Sequence, residues 1–282
     1  METSKNNNSF ITFDREIFLR IIDSTTKFCS QDRKSGVLQD VEIKLKKDLL
    51  SFISTDGDRF TILKFHRLKK SVHNKINWDN FKFKENLSVL INRWCLWKVK
   101  DCLIGWNNVE REFLNEPVDA KSVKLCFANN GEISCLVDGK SVGLSADYDY
   151  KDFPNMEDIL PLRFANNVSF NKFDLYKKLS NLRNNYGSYN VQIIVKNKSN
   201  FAEIYMNIKD RFSGSASLLK EKPDLLKNFY AFTLDIDFAL EGLEIFSEHY
   251  VSMKFNSSFE VIVFQSNIED IEFLHGFLPE KD

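Results

Sequence analysis

Long apolar runs are missing from this 282-residue chain. No uninterrupted stretch reaches membrane-spanning length, and the opening METSKNNNSF has neither a basic start nor an apolar core, so no spanning helix or secretion signal is expected. A cytoplasmic protein without membrane contact is the expectation. Glycine is scarce, at 10 residues, and none falls in a G-x-S-x-G elbow, a phosphate-cradling G-x-x-x-x-G-K loop or a dinucleotide fingerprint. The four histidines, His66, His73, His249 and His275, are scattered and form no metal-ligand pattern. Five cysteines, Cys29, Cys95, Cys102, Cys126 and Cys135, make an odd number with no Cys-x-x-Cys pair, so reduced and mostly buried thiols are expected. Charge of one sign is also lacking, with a net −1, which excludes a protein held on nucleic acid by overall charge alone. These absences point away from an enzyme and from any cofactor or metal.

What is present is an ordinary globular composition, 43% apolar and 28% charged, in a chain long enough for two domains. The charge is segregated. From Arg59 to Lys100 eleven Lys or Arg face two acids, and from Asp101 to Asp158 twelve acids face five bases. Such a division suits a phosphate-facing side and a partner-facing side, or simply a solvated surface.

The order of elements repeats. From Ser9 come a short strand SFITF, an amphipathic helix, strands through Phe65, a second helix and strands ending near Leu144. From Asn167 come NVSF, the helix NKFDLYKKLSNL, strands YNVQIIV and AEIYMNI, another helix and the strands YVSMKF and FEVIVFQ. The first helix follows Asp14 and buries Ile17, Phe18, Ile21, Ile22, Thr25 and Phe28. The second is expected from about Lys84 to Trp94, with Leu87, Leu90, Ile91 and Trp94 inward. The third buries Leu175, Leu179 and Leu182, and the fourth, from Asp237, buries Leu240, Leu243 and Phe246 while exposing acids. This predicts disordered residues 1–8, a domain over 9–146 with an inserted helical arm at about 95–118, a linker over 147–161 and a domain over 162–282. The arm RWCLWKVKDCLIGWNNVEREFLNE holds three of the four tryptophans.

Two stretches invite chemistry. The turn TDGD in FISTDGDRFTILKF joins two apolar strands, and Asp and Gly there are what a tight connection demands. Asp147, Asp149 and Asp152 in the Pro-containing linker could hold Mg²⁺ for a nuclease, though acids in such a linker are ordinarily solvated.

The ordered set QDVEIKL, LLSFISTDGDRFTILKF, FKFKENLSVLINRW and VKLCFANNGEISCLVDGKSVGLSADYDYKDFPNMEDILP resembles the middle domain of the bacterial sliding clamp, the β subunit of DNA polymerase III. The second unit, ending in FLHGFLPEKD, resembles that family's last domain more weakly. The resemblance covers about residues 9–94 and 122–282. It implies an α+β DNA-clamp fold of two repeated domains, each with two helices packed on antiparallel sheets. It also implies a non-enzymatic processivity factor encircling duplex DNA, which tethers a polymerase or repair protein carrying a clamp-binding peptide and is placed on DNA by a clamp loader.

By that resemblance Leu38, Thr55, Gly57, Arg59, Phe60, Pro154, Ile159, Leu278 and Pro279 form a hydrophobic peptide groove. Gly57 would admit a peptide backbone and Arg59 would meet a carbonyl or carboxylate. Arg20, Lys27, Arg33, Lys34, Lys84, Arg93, Lys172, Lys177, Lys178 and Arg183 would face DNA through loose phosphate contacts. The family's first domain has no counterpart here. A ring of six domains would then need three copies, a homotrimer. A clamp-like decoy or regulator, binding clamp-binding peptides or another clamp without encircling DNA, is the alternative.

Overall fold

The computed structural model describes residues 9–32, 34–67, 76–78, 81, 86–104, 122–128, 132–137, 140–144, 153–186, 190–198, 201–208, 211–218, 229–256, 260–268 and 271–278. They divide into two compact units. The first runs to Gly57 and includes Ile62–Pro154 and Ile271; the second comprises Asp58–Thr61, Asn155–Ile268 and the residues from Glu272 on.

In the first unit, β1 (Ser9–Asp14), α1 (Arg15–Thr26), β2 (Asp40–Lys46), β3 (Leu49–Thr55) and β4 (Arg59–His66, from Ile62 in this unit) make one βαβββ half. After the two-residue β5 (Ile76–Asn77), a second half follows: β6 (Leu87–Asn92), α2 (Arg93–Ile104), β7 (Ser122–Phe127), β8 (Ile133–Val137) and β9 (Lys140–Gly143). The halves exchange first strands, giving strand orders β5-β1-β7-β8-β9 and β6-β2-β3-β4.

The second unit repeats the scheme. After the one-turn α3 (Met156–Ile159), its halves are β10 (Asn166–Asn171), α4 (Lys172–Tyr186), β11 (Asn190–Lys198), β12 (Phe201–Ile208), β13 (Arg211–Leu218), and β14 (Phe229–Asp235), α5 (Ile236–Glu244), β15 (Tyr250–Phe255), β16 (Ile262–Ile268), β17 (Ile271–Phe277). Their strand orders are β14-β11-β12-β13 and β10-β15-β16-β17. The expected α+β class of two repeated units, helices on antiparallel sheets, is what the chain forms, and each unit itself consists of two βαβββ halves.

Local chemistry sets the helix starts. Asp14 caps α1, its Oδ1 accepting from the N–H groups of Glu16 at 2.9 Å and Ile17 at 3.4 Å. Ile17, Phe18, Ile21 and Ile22 are buried as the spacing required. Asp235 caps α5 through the Phe238 N–H at 3.0 Å. On α4, Leu175, Leu179 and Leu182 are buried.

The second helix is a correction. Leu87–Asn92 is a strand, paired with β2 from Asp40↔Asn92 to Leu45↔Leu87, and the helix occupies Arg93–Ile104. The run LSVLIN fits either period, and the open edge of β2 decides it. Asn92 then caps the helix, its Oδ1 accepting from the Trp94 N–H at 3.0 Å. Trp94, expected inward, is 49% exposed, while Leu96, Val99 and Leu103 are buried. The tryptophan-bearing stretch set aside as an inserted arm thus supplies the unit's second helix over its first turns; residues 105–121 lie outside the described residues. Helix α2 packs on α1: Arg15 donates to the Leu103 carbonyl at 2.9 Å, and the Trp97 indole N–H donates to Thr26 Oγ1 at 3.0 Å.

Phenylalanine fills the cores. In the first unit the rings of Phe13, Phe18, Phe52 and Phe65 meet at centroid distances of 5.4–6.4 Å, mostly edge to face. In the second, Phe170, Phe264 and Phe277 do likewise. The five cysteines are free thiols. Burial raises the Cys29 thiol to about 12 and the Cys135 thiol well above its ordinary range, so both stay protonated.

Candidate functional site

The turn between β3 and β4 supplies residues to both units. On the first unit's side, Gly57 has φ +106°, a conformation that excludes most side chains, and its N–H donates to Thr55 Oγ1 at 3.1 Å. A Cβ on Gly57 would lie 4.0 Å from Leu38 Cδ1. Leu38, Thr55 and Gly57 are therefore brought together there, with Leu38 half-buried and Gly57 exposed. Pro154, of the same unit, is half-buried.

On the second unit's side, residues 58–61 lie against β17. The Leu278 N–H donates to the Asp58 carbonyl at 3.0 Å, and Thr61 Oγ1 is 3.0 Å from His275 Nδ1. Phe60 is 2% exposed, and its ring sits where a Cβ on Gly276 would fall, 2.1 Å from Cζ. Phe60 thus holds residues 58–61 on β17 and offers almost no surface. Arg59 pairs with Glu241 on α5, and its guanidinium carbon lies 4.4 Å above the Phe238 ring. Leu278 is 43% exposed, Ile159 is half-buried on α3, and Pro279 lies outside the described residues. Sequence reading missed Glu241 and Phe238; the acid-rich helix DIDFALEGLE was the available signal.

The expected DNA-facing cations divide three ways. Arg33 and Lys84 lie outside the described residues. Arg93 is buried: its Nη1 donates to the Ser30 carbonyl at 2.7 Å, and its guanidinium lies 5.3 Å and 5.6 Å from the Trp94 and Trp97 rings. Lys172 donates to the Phe246 carbonyl at the end of α5 and sits 4.6 Å over Phe173; Arg183 pairs with Asp237 at 2.7 Å. These three are committed within their own units. Lys34 and Lys177 are exposed, and Arg20, Lys27 and Lys178 are half-buried with interactions of their own. Of these cations Arg183 meets an acid of α5, Asp237; the other acids of that helix, Glu241 and Glu244, meet Arg59 and Tyr176.

Behind Arg93, Asp40 is wholly buried, with Oδ1 accepting from Asn92 at 2.9 Å and Oδ2 without a hydrogen-bond partner. Burial raises its carboxyl to about 6, against the opposing pull of the Asn92 hydrogen bond and the Arg93 charge. Among the described residues no group of three or more His, Cys, Asp or Glu could hold a metal, and no helix is long and apolar enough to cross a membrane. Asp147, Asp149 and Asp152 lie outside the described residues.

No protein-family model matches the chain, and no curated protein does. Solved structures do. The DNA polymerase III β subunit from Thermotoga maritima superposes with a TM-score of 0.69 at 15% identity, covering 97% of this chain and 66% of that one. The β subunit from DNA polymerase of Streptococcus pyogenes gives 0.68 at 16% identity, with 100% and 68% covered. The fold is that of the sliding clamp. The DNA polymerase sliding clamp from Pseudomonas aeruginosa agrees, at 0.68 and 14% identity over 100% of this chain and 68% of that chain. The chain spans about two thirds of the length of these clamps.

Proposed function

We propose that this chain is a non-enzymatic DNA sliding clamp, acting in the cytoplasm, that encircles duplex DNA as a ring of three copies and tethers a polymerase or repair protein. The observation that carries this is the match to sliding clamps along the whole chain, which folds as four βαβββ halves, two to each unit. Three copies supply the six domains of a ring. Topological retention needs few tight phosphate contacts, which fits a net charge of −1 and cations engaged in pairs. Exposed Lys34 and Lys177 are assigned to loose phosphate contact. Peptide recognition is assigned to Arg59 and Leu278 of the second unit. A clamp loader is the partner that opens such a ring.

The test is retention. Light scattering across a concentration series should give a species of three times the 33.0 kDa chain mass. That species should stay on closed circular DNA and slide off once the circle is cut. A second reading, a clamp-like regulator that does not encircle DNA, is favoured by the commitment of Arg93, Lys172 and Arg183 to intramolecular contacts. A monomer at every concentration, lost equally from circular and linear DNA, would establish it in place of the ring.

A further inference from the structure

Two helix starts carry one seven-residue pattern, a copy in each unit: NRWCLWK, Asn92 to Lys98, opens α2, and NKFDLYK, Asn171 to Lys177, opens α4. The order is Asn, cation, aromatic, a variable residue, Leu, aromatic, Lys, and each place is used alike in both copies. Asn92 and Asn171 cap their helices, each Oδ1 accepting at 3.0 Å from the N–H of the aromatic residue two positions on, Trp94 or Phe173. Arg93 and Lys172 donate to a backbone carbonyl just past the end of the neighbouring helix, Ser30 after α1 and Phe246 after α5. Leu96 and Leu175 are buried. Trp97 and Tyr176 tie the first turn to that neighbour, through Thr26 and Glu244.

The first aromatic of each copy is held in place and yet open. Trp94 is 49% exposed and Phe173 51%. The Arg93 guanidinium lies 5.3 Å from the Trp94 ring and the Lys172 ammonium 4.6 Å from the Phe173 ring. A second ring meets each, Trp97 edge-on at 4.7 Å and His249 at 5.2 Å. Helix packing does not demand an aromatic at this place. Helix α1 starts in the same way, with Asp14 as cap and Arg15 donating to the Leu103 carbonyl at the end of α2, but its third place is the exposed Glu16. One turn beyond Trp94 and Phe173, on the same helix faces, Lys98 and Lys177 are exposed. A fixed, open ring one turn from a free-standing ammonium suits a nucleotide, with the base on the ring and the phosphate on the lysine.

We infer that Trp94 with Lys98, and Phe173 with Lys177, are stacking platforms for unpaired bases of single-stranded DNA. Bases inside a duplex are already stacked, so these platforms read the state of the strand, which loose phosphate contacts to an encircled duplex do not. The inference rests on the DNA-binding part of the proposed function and adds the form of DNA recognised. On α2 the only acid, Asp101, stands two turns from Trp94, whereas the exposed Asp174 is next to Phe173. The first platform is therefore expected to bind the more tightly.

The experiment titrates the full chain with oligothymidylate of about 12 nucleotides, with an abasic oligomer of equal length and charge, and with a closed hairpin duplex, reading tryptophan fluorescence. Oligothymidylate should quench the fluorescence and bind about 5- to 100-fold more tightly than the abasic oligomer. Trp94→Leu should remove most of the quenching and weaken binding, and Phe173→Leu should weaken it less, with circular dichroism verifying the fold. The comparison of oligomers needs no substitution, so it decides the matter even where a variant misfolds. Equal binding of the two oligomers, or tighter binding of the duplex, would overturn the inference. Quenching by an aromatic peptide and not by oligothymidylate would overturn it in favour of a protein partner. The titration does not depend on assembly: a monomer quenched by oligothymidylate would keep the platforms and remove the ring, and a trimer left unquenched would do the reverse.

Discussion

Asp40→Asn should stabilise the first unit at neutral pH and do so less and less as pH falls. Asp40 is wholly buried, Oδ2 has no hydrogen-bond partner, and burial raises its carboxyl from 3.8 to about 6. The folded protein therefore holds this proton more tightly than the unfolded chain does. Its contribution to stability is full below pH 3.8, falls as pH rises toward 6, and is then gone. At about 1.4 kcal/mol per pH unit, ionised Asp40 costs the fold at most about 3 kcal/mol above pH 6. Asparagine keeps an oxygen for Asn92 and carries no charge. The expected gain approaches that figure at pH 8, reduced by the lost attraction to Arg93, and shrinks toward zero near pH 4. Urea unfolding of both proteins at pH 4, 5, 6, 7 and 8, followed by tryptophan fluorescence, measures it, since Trp78, Trp94 and Trp97 all lie in the first unit. A difference independent of pH, or a variant less stable at pH 8, would refute the reasoning.

Gly276→Ala places a Cβ 2.1 Å from the Phe60 ring and should destabilise the second unit by about 1–3 kcal/mol; a double-mutant cycle with Phe60→Leu should recover much of the loss in thermal melts. Arg93→Ala leaves the Ser30 carbonyl without its donor and the two tryptophans without their cation, so chemical unfolding should show a loss of about 2–4 kcal/mol. Lys34→Ala with Lys177→Ala should leave stability unchanged and flatten the salt dependence of DNA binding in a filter or anisotropy assay; an unchanged slope would take these lysines off the DNA side. Asp14→Ala removes the α1 cap and should cost about 1 kcal/mol by urea unfolding. Glu241→Gln frees Arg59 from its carboxylate partner and should tighten binding of an acidic, apolar-anchored peptide in fluorescence anisotropy; no change would separate Arg59 from peptide recognition.

Much of the architecture was legible because the signals were local. Asp14 before an apolar 3.6-residue period, the Leu175-Leu179-Leu182 stripe and the TDGD turn with Gly57 each specify their own conformation within a few residues, and the structure shows all three. The run LSVLIN failed as a helix because its period is ambiguous and its partner β2 lies more than forty residues away in the chain. Trp94 and Arg93 exchanged places for the same reason: shifting the helix start to Arg93 turned the tryptophan outward and the arginine in.

The sequence by itself determined the class, the repeat of two units, the Asp14 cap of α1 and the absence of nucleotide or metal motifs, since these depend on neighbours along the chain. Tertiary structure alone decided which of the described cations are exposed, that Arg59 is held by Glu241 over Phe238, and that Phe60 is buried on Gly276. Those outcomes depend on contacts between residues far apart in the chain, such as Arg59 and Glu241, Phe60 and Gly276, or Asp58 and Leu278, which are 220 positions apart, where no periodicity in sequence carries the information.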